Sequence, residues 1–182
     1  MKKIIYLILM IGHPILLLFY SRWVLRSRHF QNVNGYIWAY KSIFWRNILR
    51  YEKPTPWPAH ASVRIAVPQN LIFHQDDINN FQSFGCYYQN YHAQIILGKG
   101  TFVAPNCGFI TADHSLDDLN SSSTGANIVI GENCWIGMNS MILKGVNLAD
   151  NTVVAAGTVV TKSFTESRII IAGVPAKIIK RF

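Results

Sequence analysis

A six-residue repeat runs through the second half of the chain and restricts the folds that it can adopt. Aliphatic residues recur at intervals of six, namely at Ile130, Ile136, Ile142, Leu148, Val154 and Val160. A period of six fits neither an α-helix nor an ordinary β-hairpin, but it is typical of a parallel β-helix. Each six-residue unit then forms one flat strand and one corner, and three units complete a triangular coil.

Compact residues accompany the aliphatic ones within each unit. The fourth residue after the aliphatic position is expected to point inward as well: Cys134, Ser140, Val146, Thr152 and Thr158. The residue directly after the aliphatic position is often small, as at Gly131 and Gly137. We expect glycine there to allow a tight turn with positive φ. The three cysteines form no disulfide pattern, and Cys107 and Cys134 are predicted to be small core residues.

The repeat is interrupted once by a long polar segment. After Phe109 the next aliphatic position is due at residue 115, but the repeat resumes at Ile130, so that 15 residues are extra. Long loops that leave a solenoid often carry its function. His114 lies at the start of this loop, where a neutral imidazole can act as a general base for a hydroxyl. The carboxylates that could orient it are Asp113, Asp117 and Asp118.

Five ordered segments resemble a known family. Residues 102–117, 130–137, 145–146, 156–162 and 173–180 are similar to successive segments of the galactoside and maltose O-acetyltransferases, which are hexapeptide-repeat acyltransferases. The similarity covers about residues 95–182. It implies a left-handed parallel β-helix, a homotrimer with three active sites at the subunit boundaries, and acetyl-CoA as the co-substrate.

The resemblance also assigns roles to individual residues. His114 matches the general base, and the positions that match the acetyl-CoA site are Trp135, Ala156, Thr161, Lys162, Lys177 and Lys180. No metal is implied. Pro175 is expected in the first turn of a short C-terminal helix. The family's active-site Asn has no counterpart in residues 83–89, because Asn90 is out of register.

The N-terminal third differs from the rest in charge and hydropathy. Residues 4–20 form an apolar run that contains Pro14, with basic residues on both sides. Residues 34–50 mix aromatic rings with Lys41, Arg46 and Arg50, a combination that suits the headgroup layer of an anionic leaflet. A single span and a re-entrant helix kinked at Pro14 fit about equally well. A cleaved signal peptide and a buried helix of a soluble oligomer are the weaker interpretations.

The charge distribution separates the same regions. Residues 1–53 hold nine Lys and Arg and one acid, whereas residues 54–182 hold eight of each sign. The even balance of the second region argues against a nucleic-acid-binding β-helix. We predict a helical membrane anchor in residues 1–53, a stiff Pro-rich linker in 54–60, and a β-helix with a C-terminal helix in 61–182.

These observations lead to one functional hypothesis and several alternatives. A mainly β, membrane-attached homotrimer at the cytoplasmic face of a membrane, the bacterial inner membrane, would transfer acetyl from acetyl-CoA to a sugar hydroxyl. The acceptor would be a membrane-borne or lipid-linked glycan, with His114 as general base. The alternatives are N-acetylation of an amino sugar, a zinc hydrolyase that shares the prism and needs three His ligands, and a non-catalytic scaffold.

Overall fold

The computed structural model describes residues 11–120 and 124–182 of the chain. Short helices come first: α1 His13–Leu16, α2 Arg22–Leu25, a 3-10 helix Arg28–Gln31, α3 Val33–Ser42 and a π-helix Ile43–Ile48. Short strands follow: β1 Arg64–Ile65, β2 Leu71–Ile72, β3 Tyr87–Gln89, β4 Ile95–Leu97, β5 Phe102–Val103, β6 Gly108–Ile110, β7 Ile128–Ile130, β8 Trp135–Ile136, β9 Met141–Leu143, β10 Asn147–Leu148, β11 Val153–Val154, β12 Val159–Val160, β13 Ile169–Ala172 and β14 Lys177–Arg181. Two more 3-10 helices, Pro68–Asn70 and Gln75–Phe81, flank β2.

The strands form the three walls of a prism. Sheet A has the order β1-β3-β6-β9-β12, sheet B the order β10-β7-β4-β2, and sheet C the order β14-β13-β11-β8-β5. Neighbours are parallel except for β13 and β14, and each strand pairs with the strand one coil away, as Leu97 does with Ile130. The predicted parallel β-helix is confirmed. The left-handed sense of the coil, which the resemblance implies, stays a prediction.

The six-residue repeat fills the interior of this prism. All six aliphatic residues from Ile130 to Val160 are at most 1% exposed, and so are the five compact residues from Cys134 to Thr158. Side chains of equal position therefore stack in columns along the axis, where they exclude water from the core. Cys86, Cys107 and Cys134 are free and buried, which confirms the core role predicted for the last two.

The corners turn at a different residue from the one predicted. Positive φ values occur three residues after the aliphatic position, at Asn133, Asn139, Gly145, Asn151 and Gly157. Asparagine is the side chain that tolerates this region best after glycine. Gly131 and Gly137 are small for another reason, which is close packing of the coils. A Cβ on Gly137 would lie 2.6 Å from the backbone nitrogen of Ala156.

The C-terminus ends in a hairpin, so the predicted terminal helix is wrong. Strand β14 pairs antiparallel with β13 and widens sheet C. The turn between them contains Pro175 and Gly173, whose φ of 101° is incompatible with a helix. Every second residue of β13 is buried, with Ile169 and Ile171 in the core, and this alternation favours a strand over a helix.

The N-terminal helices cover one end of the prism. Their buried side chains, among them Leu16, Val24 and Phe30, belong to the same hydrophobic core as the coil interior. Trp57 joins the two parts, because its ring lies 4.9 Å from the ring of Phe73 and 5.4 Å from that of Phe81. Burying these faces removes apolar surface from water at the open end of the coil, where a further strand would otherwise be needed.

The anchor predicted for this region is not supported. Within residues 11–120 and 124–182, no helix is both long enough and apolar enough to cross a membrane. Residues 4–10 of the apolar run lie outside the described residues. Pro14 stands in the first turn of the four-residue helix α1, where its missing N–H costs nothing. Arg46, predicted to face lipid headgroups, is 1% exposed.

Candidate active site

One edge of the prism collects the polar residues. The chain passes from sheet A to sheet B along this edge in every coil, after β3, β6, β9 and β12. Because the coils stack directly on one another, the residues that follow these strands form one column: Tyr91 and His92, then Asp113 and His114, then Lys144, then Thr161. This column brings together side chains that are up to 70 positions apart in the sequence.

The long loop leaves the prism in this column, as predicted from the interrupted repeat. It begins after Ile110 and returns to the prism at Ile128, and its residues from Asp113 to Asn120 are mostly exposed. The backbone N–H of Ala126 donates to the carbonyl of Thr111 at 2.9 Å and closes the base of the loop. His114 therefore projects from the point where a rigid coil meets a solvent-exposed excursion.

Gln89 fixes the backbone that leads to His114. Its Oε1 accepts hydrogen bonds from the N–H groups of Thr111 (2.9 Å) and Ala112 (3.1 Å), and its Nε2 donates to the Ala112 carbonyl at 3.0 Å. The Thr111 hydroxyl donates in turn to the Gln89 carbonyl at 2.8 Å. Four hydrogen bonds thus hold the two residues that precede Asp113 and His114. A catalytic side chain gains from such an anchor because small displacements are costly.

Two small cavities adjoin Asp113. The first, of about 210 Å³, is lined by Gln89, Tyr91, His92, Ala112, Asp113 and His114. The second, of about 270 Å³, is lined by Ile110, Ala112, Asp113, Leu143, Lys144 and Thr161. The two share Ala112 and Asp113 and therefore adjoin each other.

Asp113 pairs with a lysine from the next coil. Its Oδ1 lies 2.5 Å from Nζ of Lys144, whereas Oδ1 of Asp118 accepts from the backbone of Asn120. The ion pair holds the root of the loop against the coil and places a positive charge beside the second cavity. The carboxylate that orients His114 stays a prediction.

The predicted acetyl-CoA residues fall into two groups. Thr161 lies in the column with His114, and Lys162 follows it, with its ammonium 5.7 Å from the ring centre of Phe164. Trp135, Lys177 and Lys180 lie on sheet C instead. Ala156 is at the corner between sheets C and A, between β11 and β12. Within one chain, the second group does not line either cavity beside Asp113.

Trp135 lies on the exposed face of sheet C. Its side chain is 57% exposed and pairs in register with Phe102, which is 54% exposed. Two large aromatic side chains on one strand pair of sheet C form an apolar patch of the kind that marks an interaction surface.

Two site residues were missed in the sequence, Gln89 and Lys144. In the structure, Gln89 ends the strand one coil before the loop and Lys144 follows the strand one coil after it. Their roles depend on contacts between coils, which the periodicity alone does not show.

The cysteines do not contribute to the chemistry of the site. Cys86, Cys107 and Cys134 are each at most 1% exposed, and burial raises the pKa of the Cys134 thiol. A covalent acyl carrier needs an accessible thiolate. In the described ranges, no group of three or more His, Cys, Asp or Glu side chains has the geometry to hold a metal ion.

Comparison with known proteins agrees with this architecture. The family model described as the hexapeptide repeat of succinyl-transferase matches residues 127–162. The galactoside O-acetyltransferase of Escherichia coli is 31% identical over 52% of this chain and 50% of its own length. An E. coli protein provisionally named a lipopolysaccharide biosynthesis O-acetyl transferase is 46% identical over 36% of this chain and 32% of its own.

A solved structure is also similar to this chain. A hexapeptide-repeat acetyltransferase of Vibrio cholerae, crystallised with acetyl-CoA, is 27% identical, with a TM-score of 0.50 over 66% of this chain and 60% of that one. The chain spans about half the length of the curated relatives that it matches first. The family model, the relatives and the solved structure agree that the chain is similar to hexapeptide-repeat acetyltransferases.

Proposed function

We propose that this chain transfers an acetyl group from acetyl-CoA to a sugar hydroxyl, with His114 as the general base. The observation that carries the proposal is the position of His114. Its side chain lines a cavity of about 210 Å³, at the root of a loop that Gln89 fixes to the coil. A polar cavity of this size admits one sugar ring beside the imidazole.

The proposed reaction is a direct transfer. His114 takes the proton of the acceptor hydroxyl, and the oxygen attacks the thioester carbonyl, which forms the ester bond and breaks the C–S bond. The imidazolium then returns the proton to the departing CoA thiolate. General-base catalysis of this kind contributes roughly 10²–10⁴-fold to the rate. The buried thiols leave no cysteine to carry the acyl group in the described residues.

The distribution of the acetyl-CoA residues supports a site between two copies of the chain. Thr161 and Lys162, at the same edge of the prism as His114, would contact the pantetheine arm. Trp135, Lys177 and Lys180 lie on another wall of the prism, so a neighbouring copy would bring them to the same ligand. We therefore infer a homotrimer with sites at its boundaries. The lysines would supply charge-assisted contacts to the phosphates.

The acceptor is proposed to be a membrane-borne or lipid-linked glycan, modified at the cytoplasmic face of a membrane. Two features support this class. All of the net charge of +8 falls in residues 1–53, where basic groups attract anionic lipids. One relative bears a provisional name that refers to lipopolysaccharide biosynthesis.

Mass spectrometry of glycolipids from cells with and without the protein tests the acceptor class. We expect a glycolipid that is heavier by one acetyl group in cells that contain the protein. Identical glycolipid profiles, combined with an acetylated soluble sugar, would reject the membrane-borne acceptor while retaining the reaction.

Gln89 offers a test of positioning at this site. Gln89→Leu removes the three side-chain hydrogen bonds to Thr111 and Ala112, so we expect kcat for acetyl transfer to fall about tenfold or more. The KM for acetyl-CoA should change less. Gln82→Leu, at an exposed glutamine, is the matched control and should leave both constants unchanged. A kcat that Gln89→Leu does not lower would show that these bonds have no catalytic role.

A further inference from the structure

The helices that cover the prism expose an unusual amount of apolar surface. Among the described residues, half of the large apolar side chains classed as exposed lie between Ile11 and Tyr51. Soluble monomers seldom expose large contiguous apolar patches, and such patches mark contacts with proteins or membranes. The inner face of these helices packs on the open end of the coil. Their outer face has no partner within the described chain.

One part of this surface is a stripe along α3 and the π-helix. We define the apolar stripe as Ile37, Phe44, Trp45, Ile48 and Leu49, which are between 39% and 64% exposed. Their spacing places them on one side of a helical segment, while Tyr36, Ala39, Ile43 and Arg46 face the protein. The stripe therefore belongs to a helical segment with two apolar faces, one buried against the protein and one exposed.

A second exposed run lies on the segment that packs against α3. Ile11, Ile15 and Leu18 are 79%, 52% and 80% exposed. This segment is fixed to α3 by the hydroxyl of Tyr20, which donates to the carbonyl of Ala39 at 3.0 Å. It is also fixed by a 3.2 Å contact between Nδ1 of His13 and the hydroxyl of Tyr36. The exposed apolar surface thus extends over two connected elements.

Basic side chains are frequent in the same part of the chain as these apolar groups. Six exposed cationic residues belong to the same part of the chain, namely Arg22, Arg26, Arg28, Lys41, Arg50 and Lys53, whereas Glu52 is its one acid. A cavity of about 570 Å³ opens at the stripe, lined by the rings of Trp38, Trp45 and Tyr51 together with Lys41 and His60. Aromatic rings beside cations suit the headgroup layer of an anionic bilayer.

We propose that the apolar stripe is a monotopic membrane-binding surface that lies in the plane of an anionic phospholipid bilayer. The stripe enters the boundary between headgroups and acyl chains, and Lys41 at the cavity contacts lipid phosphate. This binding mode needs no spanning helix, since an in-plane amphipathic helix buries one face only. The proposal deepens the proposed location at a membrane and rests on it, but it does not depend on acetyl transfer.

Flotation of the full chain with vesicles tests the surface. Vesicles of phosphatidylcholine with phosphatidylglycerol are compared with vesicles of phosphatidylcholine alone. We expect binding to the anionic vesicles, and Phe44→Ser combined with Ile48→Ser should weaken it by at least about tenfold, because two large apolar groups no longer enter the bilayer. Lys41→Gln should weaken it about fivefold, as is typical of one cation at an anionic surface.

The matched control removes equal apolar surface elsewhere. Phe182 and Ile179 are 49% and 63% exposed, close to the 47% of Phe44 and the 64% of Ile48. Phe182→Ser combined with Ile179→Ser should leave vesicle binding unchanged. Absence of vesicle binding by the parent chain, or equal binding by the stripe variant, would overturn the proposal.

Two further measurements, of oligomeric state and of acetyl transfer, distinguish the membrane surface from a contact between copies of the chain and from a failure of the proposed reaction. If the stripe variant changes the oligomeric state in the absence of vesicles, the stripe is covered by another copy of the chain and the proposal is wrong. Acetyl transfer to a soluble sugar is measured on the same preparations. Preserved transfer without vesicle binding would reject the membrane surface and leave the proposed reaction standing.

Discussion

Replacement of His114 by Ala is expected to abolish most acetyl transfer while the protein stays folded. In the proposed reaction, the imidazole takes the proton of an acceptor in the cavity that Gln89, Tyr91 and His92 also line. Without it, the hydroxyl must lose its proton to water, and the rate should fall by roughly 10²–10⁴-fold. Initial rates with acetyl-CoA and a soluble sugar acceptor measure the loss.

Folding and specificity controls accompany this variant. His114 is exposed and belongs to a loop outside the prism, so its loss should leave the thermal midpoint within about 1–2 °C of the parent. His74→Ala serves as the matched histidine, since His74 accepts a hydrogen bond from Asp76 far from the cavity. A His114→Ala variant that retains more than about one tenth of the parent rate would contradict the assignment of the base.

Replacement of Arg46 by Met is expected to cause the largest loss of stability. Its guanidinium is 1% exposed and donates to the carbonyls of His60 (2.9 Å), Val63 (2.7 Å) and Lys53 (2.6 Å). Met fills a similar volume but leaves three carbonyl oxygens without these donors. The free energy of unfolding should fall by about 3 kcal/mol.

A thermal melt detects a change of this size. For a chain of this length, we expect the midpoint to fall by about 6–12 °C. Arg22→Met is the matched control, because Arg22 is an exposed arginine of the same helical region, and it should shift the midpoint by no more than about 2 °C. A midpoint for Arg46→Met equal to that of the parent would show that the helical region is held to the coil by other contacts.

Arg46 also illustrates that buried positions can be predicted from the sequence in the coil but not in the N-terminal region. The repeat predicted the coil because inward positions in a β-helix recur at a fixed interval. Every residue from Ile130 to Val160 in the aliphatic series is buried accordingly. The N-terminal region has no such period. Arg46 was predicted to face lipid, and the structure places it inside, where it donates to the backbone carbonyls of Lys53, His60 and Val63.

The site shows the same contrast. The interruption of the repeat predicted the loop and His114, because a break in a regular series is visible in one dimension. The supporting contacts from Gln89 and Lys144 join different coils, and a single sequence does not show which coils stack in register. The helix predicted near Pro175 was wrong because the turn at Gly173, with φ of 101°, directs the following residues back along sheet C.

The most direct measurement is the chemical nature of the acetylated product. The full chain is incubated with acetyl-CoA labelled in the acetyl group and with a total glycolipid extract, and the labelled glycolipid is treated with hydroxylamine. Oxygen esters release their acetyl group under this treatment, whereas amides retain it. We expect the parent chain to label the glycolipid, His114→Ala to label it at least about 10²-fold more slowly, and hydroxylamine to release the label. A label that resists hydroxylamine, or equal labelling by His114→Ala, would contradict His114-dependent O-acetyl transfer.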